Sequence, residues 1–239
     1  MSKFIIRIYL LLSVGLMFSQ NAVPDSIPTK KNSHFSKYKM KTFNLRLGFD
    51  IGNYIYAKTQ DLNRVNFNLD SNIFGDYFIS IQAGNEEYLF DNQLIKMSTS
   101  GSYWEFGVDY NLYDNWPGMD NQLMLGLHFG HANFTNVLHE YIINQTGNSF
   151  PAQTVVVNQE YGTLSANWIE LQSIMQVELI KNIYLGYNIS FKYLLSKKKY
   201  ENFELTYIPG FRKVNSTSPF GFGMQYFISY RFKIKKAPK

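Results

Sequence analysis

The sequence predicts an all-β chain: an eight-stranded antiparallel up-and-down transmembrane β-barrel, preceded by a signal peptide. Three observations predict it. Apolar and polar residues alternate with period two over eight separate segments. A strand sorts such a pattern onto two faces, and a helix of 3.6 residues per turn cannot. The connections between the segments alternate short and long, as in outer-membrane barrels, whose periplasmic turns are tight and whose outer loops are extended. Finally, aromatic residues make up 17% of the 239 residues, with 18 Tyr and 20 Phe, while charged residues also make up only 17%. Soluble domains carry about 25% charged residues. The mean hydropathy of -0.23 would by itself read as soluble, but a barrel that turns every second residue to lipid and the rest to a polar lumen has a low mean as well.

Taken in order, residues 1–19 read as a signal peptide. Lys3 and Arg7 form a positive start, Ile8 to Phe18 an apolar run, and Ser19 the expected last residue, with Ala22 as the alternative. The run is shorter than the ~20 apolar residues of a membrane-spanning helix, so an N-terminal membrane anchor is the lesser reading. There is no cysteine, which excludes acylation through a cysteine at the cleavage site and excludes disulfides. Residues 20–41, with Pro24, Pro28, Lys30, Lys31, Lys37, Lys39 and Lys41, read as a flexible basic periplasmic leader. Residues 42–234 hold the barrel, and the basic stretch 235–239 is a periplasmic tail. These ends supply much of the formal net charge of +5. An exported barrel meets no nucleic acid, so the charge reads as a solvated tail or as attraction to anionic head groups.

The first strand alternates Phe43, Leu45, Leu47, Phe49 and Ile51 with Asn44, Arg46, Gly48, Asp50 and Gly52. The second sets Val65, Phe67 and Leu69 against Arg64, Asn66, Asn68 and Asp70, and the third Tyr77, Ile79, Ile81 and Ala83 against Ser80, Gln82 and Gly84. In the fourth, GSYWEFGVDY, the apolar phase moves to Trp104, Phe106, Val108 and Tyr110. The fifth, sixth and seventh put Leu123 to Phe129, Ile169 to Leu179 and Ile183 to Tyr193 outward at odd positions. The last puts Phe220 to Ile234 outward at even ones. The expected long connections are 53–62, 87–97, 132–163 and 195–219, and the short ones 71–75, 111–121 and 181–182. A soluble sandwich or lipocalin-like barrel alternates similarly, but it shows no such asymmetry of connections. Tyr54, Tyr56, Tyr110, Tyr113, Trp116, Trp168, Tyr193 and Tyr230 fall near strand ends, where interfacial aromatic girdles sit.

Eight strands leave an interior just wide enough for side chains. The inward set includes Arg46, Asp50, Arg64, Glu105, Asp109, His128, Glu170, Glu178, Lys192 and Arg231. Charges of both signs in a narrow, low-dielectric tube are expected to pair, because an isolated buried charge is too costly. The lumen therefore reads as a plug, with a gated pore as the alternative. Inward Gly48, Gly107, Gly126, Gly186, Gly221 and Gly223 are expected to make room for long neighbours such as Arg46 and Arg231. His128, His131 and His139 with Glu140 are the only candidates for rim chemistry. His128 and His131 stand three apart on an extended segment and so face opposite ways, and no G-x-S-x-G, H-E-x-x-H or phosphate loop occurs. No catalytic residue, metal or cofactor is expected.

Two connections offer candidate partner contacts. The turn NLYDNWPGMDNQ holds Trp116, Pro117, Gly118 and Met119, either as an interfacial anchor or as a docking knob. The loop 195–219 holds Tyr207, Ile208, Pro209, Gly210 and Phe211, an apolar tip that either meets a partner or folds over the barrel mouth. Together with GNEE (84–87), GSYWEFGVDYNLYDNWPGMDN (101–121), ANWIEL (166–171) and NIYLGYNI (182–189), the stretch YIPGF (207–211) resembles an uncharacterised family of small outer-membrane β-barrel proteins from Bacteroidota. The D-Y-N-x-Y-x-N-W-x-G-M block is its most specific part, and a signal ending in Phe-Ser-Gln is similar to signals of that phylum. The resemblance implies a one-domain barrel and brings no catalytic residue, cofactor or substrate. The expected function is that of a non-enzymatic structural or interaction subunit of an outer-membrane assembly. Its expected partners are outer-membrane lipid and other envelope proteins. A small solute pore and a lipid- or peptide-acting enzyme are the alternatives.

Overall fold

All eight alternating segments form strands, the first only as far as Asp50, and the strands close into a ring. The structure, a computed structural model, describes residues 43–59, 63–92, 94–115, 119–143, 153–198, 207–214 and 218–234. The expected signal peptide, leader and tail therefore lie outside the described residues, as do Trp116, Pro117 and Gly118. The ring is built from β1 (Phe43–Asp50), β2 (Asn63–Phe74), β3 (Tyr77–Asp91), β4 (Ile95–Asn111), β5 (Gln122–Ile143), β6 (Gln153–Ile180) and β7 (Ile183–Lys197). A two-stranded hairpin, β8 (Tyr207–Ile208) and β9 (Arg212–Lys213), precedes the last wall strand, β10 (Phe220–Ile234). The order around the closed barrel is β1-β10-β7-β6-β5-β4-β3-β2. Every neighbouring pair is antiparallel, and β1 closes on β10 from Phe43↔Ile234 to Asp50↔Phe227.

The burial pattern is the inverse of a soluble core. Outward residues such as Leu127 (64% exposed), Phe191 (62%) and Phe220 (68%) are bare, while inward Arg46, Glu105, Asp109 and Glu170 are at most 2% exposed. The interior also contains apolar clusters that the hydropathy pattern did not announce. Phe78, Met124, Ile174 and Phe227 pack together towards the short-turn end. Tyr103, Phe134, Leu164, Trp168, Ile208 and Phe211 pack together towards the long-loop end. Trp168 is thus wholly buried in the lumen rather than part of an interfacial girdle.

The first strand is shorter than the alternation implies. Ile51 and Gly52 do not extend it but open a helix, α1 (Ile51–Thr59), which also carries Tyr54 and Tyr56. The Asp50 carboxylate ends the strand: its Oδ1 accepts the Asn53 backbone N–H at 2.8 Å and so caps the helix N-terminus. The connections at that end are otherwise shorter than expected, because β3 and β4 run on to Asp91 and Ile95, and β5 and β6 to Ile143 and Gln153. Much of 87–97 and 132–163 is therefore projecting sheet. At the other end, Gly75 takes φ 56° and Asn182 φ 67° in two-residue turns, the left-handed region these residues tolerate. The longer turn is clamped by Asn115, whose side chain accepts from Asn121 N and donates to Asn121 O, both at 2.7 Å.

The inward glycines accommodate different neighbours from those expected. A Cβ on Gly48 would overlap Asn68, on Gly107 His128, on Gly126 Asp109, and on Gly186 Phe227. Arg46 and Arg231 are not among them. A Cβ on Gly130 would overlap the Trp168 indole, a rigid ring that cannot yield. Gly130→Ala is therefore expected to cost about 1–3 kcal/mol by overpacking, read as a lowered denaturant midpoint. An unchanged midpoint would show that the indole has room to move.

Candidate functional site

The inward charges are gathered into four groups along the lumen. Nearest the short turns, Arg46 meets Asp70 with Nε 2.6 Å from Oδ1 and donates through Nη1 to Gln122. Arg231 pairs with Asp120 and with Glu178 at 3.3 Å. Both guanidinium groups lie over the Tyr184 ring, Arg46 at 5.6 Å and Arg231 at 5.0 Å from its centroid. This aromatic face offsets the repulsion of neighbouring cations.

Next come Ser80, Asp109 and His128. These are the residue types of a hydrolytic triad without its wiring. His128 Nε2 faces Asp109 Oδ1 at 2.8 Å and Ser80 Oγ at 3.3 Å, and Nδ1 has no hydrogen-bond partner among the described residues. The Ser80 hydroxyl donates to Asp109 Oδ2 at 2.6 Å. A relay needs the carboxylate on one ring nitrogen and the serine on the other. Here one nitrogen serves both and the serine proton is held by the acid. His131 bonds Asn167 at 2.7 Å and His139 bonds Ser98 at 2.9 Å, so the three histidines do not converge on one point. Among the described residues, no cluster of His, Asp and Glu has the arrangement of a metal site.

Above them, Lys192 bridges two carboxylates, Glu105 at 2.9 Å and Glu170 at 2.6 Å. Its third donor reaches the Gly210 carbonyl at 2.9 Å. The last group lies at the mouth. Glu86 forms an ion pair with Arg64, Oε1 to Nε at 3.0 Å, and accepts from the Tyr207 hydroxyl and from the Gly210 backbone N–H at 3.1 Å. Arg64 also donates to Tyr207 Oη at 2.7 Å and to Asn53 at 2.9 Å. Asp50 is held by Asn53 and Asn66 at the base of α1 and forms no ion pair among the described residues. Burial next to the Glu86 carboxylate pushes the Tyr207 phenol above its ordinary range, so it remains a donor.

Tyr207, Ile208, Pro209, Gly210 and Phe211 thus fill the mouth from within. All five are buried, which removes them as a partner-facing tip and leaves the fold-over alternative. Gly210 takes φ 77° and packs flat on Tyr103, where a Cβ would stand 2.5 Å from the ring. Of the apolar turn residues, Met119 is described and is 55% exposed. The charge set expected from the sequence leaves out Asp70, which the alternation itself puts on the inward face, and also Glu86, Asp120 and the hydroxyl of Tyr207. Asp70 stands on the polar phase of β2 and Glu86 continues the inward phase of Gln82 and Gly84. Their position in the alternation was the available signal.

A family model described as a domain of unknown function, DUF6048, matches residues 1–237. The chain belongs to this family. No curated protein matches it in sequence. Among solved structures, it is similar to the N-terminal β-barrel domain of Pseudomonas aeruginosa OprF, with TM-score 0.39, 7% identity, and 80% of this chain and 97% of that chain covered. It is also similar to Ail, the attachment invasion locus protein of Yersinia pestis, with TM-score 0.38, 12% identity and the same coverages. The barrel assignment rests on the closed strand pairing of this family member itself.

Proposed function

We propose that this chain is a non-enzymatic outer-membrane β-barrel that serves as a structural or interaction subunit, closed along its axis and acting through its two ends. The observation that carries the reading is the filled lumen: buried ion pairs cross it at several heights and the 207–211 segment seals its mouth. The inverted burial supports a lipid setting, since exposed apolar side chains circle the wall as membrane barrels require. The short-turn end is then periplasmic, and Phe43 and Ile234, the outer ends of β1 and β10, lie on that side. The opposite end offers the projecting β5–β6 sheet, where Ile143, Val156 and Val157 are exposed. Outer-membrane lipid is the surrounding partner, and a further envelope protein would dock on these ends.

Reconstituted in planar bilayers, the full chain is expected to give no single-channel steps. Steady unitary conductance at moderate voltage would overturn the closed-lumen reading. Recovery of the tagged chain from mild detergent with no stoichiometric partner would overturn the subunit reading.

A further inference from the structure

The barrel wall is incomplete at its loop end. β1 stops at Asp50, opposite Phe227 of β10, and its last partner on β2 is Phe67. β10 continues through residues 220–226 and β2 through 63–66 with no strand between them among the described residues, although each is paired on its other side, to β7 and β3. Between β10 and β2 the wall therefore has a window whose sill is Asp50. α1 stands in the window and touches both strands. It packs so closely that a Cβ on Gly52 would lie 2.9 Å from Tyr226 Cβ. Arg212, at φ 82°, reaches the same free edge. Its Nη2 donates to the Met224 carbonyl at 3.0 Å and to Asn53 Oδ1 at 3.1 Å.

A cleft of about 990 Å³ opens through this window, bordered by Tyr56, Arg64, Tyr88, Arg212, Lys213 and Phe222. Small-molecule sites occupy roughly 300–1,000 Å³, so it is large enough for a head group and the start of an acyl chain. Two features define the occupant. First, Phe220, Phe222, Met224 and Tyr226 border the cleft and belong to the exposed outward face, so the cleft is continuous with the lipid-facing surface. Second, its charges do not cancel. Arg64 is paired with Glu86 at 3.0 Å, and Asp91 with Lys96 at 3.6 Å. Arg212 and Lys213 make no ion pair among the described residues, and the oxygens that receive Arg212 are neutral. A guanidinium fixed by neutral acceptors, beside an ammonium, suits a phosphate.

We propose that this window holds a lipid of the surrounding leaflet that carries an anionic phosphate, with the phosphate on Arg212 and Lys213 and an acyl chain along Phe222 and Tyr226. The inference rests on the membrane reading above, and vesicle flotation separates the two. A refolded barrel that does not float with vesicles overturns the membrane reading itself.

The test is native mass spectrometry of the full chain from maltoside micelles supplied with dioleoyl phosphatidylglycerol, dioleoyl phosphatidylcholine or free glycerophosphoglycerol. Retention of phosphatidylglycerol is expected to exceed that of phosphatidylcholine about tenfold, the scale of one charge-assisted hydrogen bond. The pair Arg212→Gln and Lys213→Gln is expected to abolish that preference. Lys213→Gln alone is expected to reduce it, and keeps the test decisive if Arg212 proves necessary for folding, because Lys213 is exposed. Equal retention of the two lipids by the unaltered chain overturns the proposal, as does an unchanged preference in Lys213→Gln. Retention of the free head group as strong as that of the lipid would show a soluble phosphate ligand instead, and overturns it too.

Discussion

Replacing Lys192 by methionine is expected to be among the most damaging single changes in the barrel. Lys192 is buried, stands between Glu105 and Glu170, and also donates to Gly210. Methionine keeps the length of the side chain but leaves two carboxylates facing each other with no cation. Removing one partner of a buried ion pair costs about 3–5 kcal/mol, a large fraction of the 5–15 kcal/mol by which a domain is stable. The expected readout is a marked fall in the denaturant midpoint in micelles, and loss of the compact, heat-sensitive band of a folded barrel on electrophoresis. The combination Lys192→Met, Glu105→Gln and Glu170→Gln is expected to recover most of the loss, because a neutral polar cluster carries no uncompensated charge. If the single change were as stable as the unaltered chain, the lumen would be wet enough to screen these carboxylates, and the closed-lumen reading would weaken with it.

Glu86→Gln should have the second largest effect, and a more local one. All three partners of Glu86 are donors: the Arg64 guanidinium, the Tyr207 hydroxyl and the Gly210 N–H. A carboxylate turns one oxygen to the hydroxyl and the N–H and the other to the guanidinium, but an amide must turn its NH₂ towards at least one of the three. The substitution also strips the buried Arg64 of its counter-charge, again a loss of about 3–5 kcal/mol. The 207–213 hairpin is then expected to detach from the mouth while the wall strands stay paired. Limited trypsin digestion in micelles, read by mass spectrometry, should show new cleavage after Arg212 or Lys213. Their protection to the same extent as in the unaltered chain would show that the hairpin is held by its apolar packing on Tyr103 and Trp168 alone. The two substitutions report on different layers of one lumen, and their effects are not expected to add fully, since Gly210 touches both groups.

The phase of each strand was legible because alternation is local. Leu123, Leu125 and Leu127 declare one face and Gln122, Gly126 and His128 the other, whatever they later touch. Where hydrophobicity stopped alternating, the reading stopped early. The clear alternation of the third segment ends at Gly84 and the expected connection starts at 87, yet β3 runs on to Asp91, and so Glu86 is absent from the expected inward charges although it holds the mouth. The converse error occurred at Ile51, which keeps the alternation of β1 but belongs to α1. The cap at Asp50 decided it, and a cap outweighs one more residue of pattern. Trp168 reads as a girdle aromatic from its place near a strand end, whereas its even position on β6 puts it inside with Ala166 and Glu170.

By itself, then, the sequence determined that the wall is built of strands, that there are eight of them, which phase of each strand faces inward, and that the inward charges have both signs. These follow from a two-residue period and from the cost of isolated charge, which operate within a few residues of each position. Only the tertiary structure decided the pairings, such as Arg46 with Asp70 and Lys192 with Glu105 and Glu170. It also decided that Tyr207 to Phe211 turn into the mouth and that β1 stops short of the loop ends of β10 and β2. Closure of the ring sets which residues share a height across the lumen, and a strand's own sequence carries no record of the residue that closure brings opposite it.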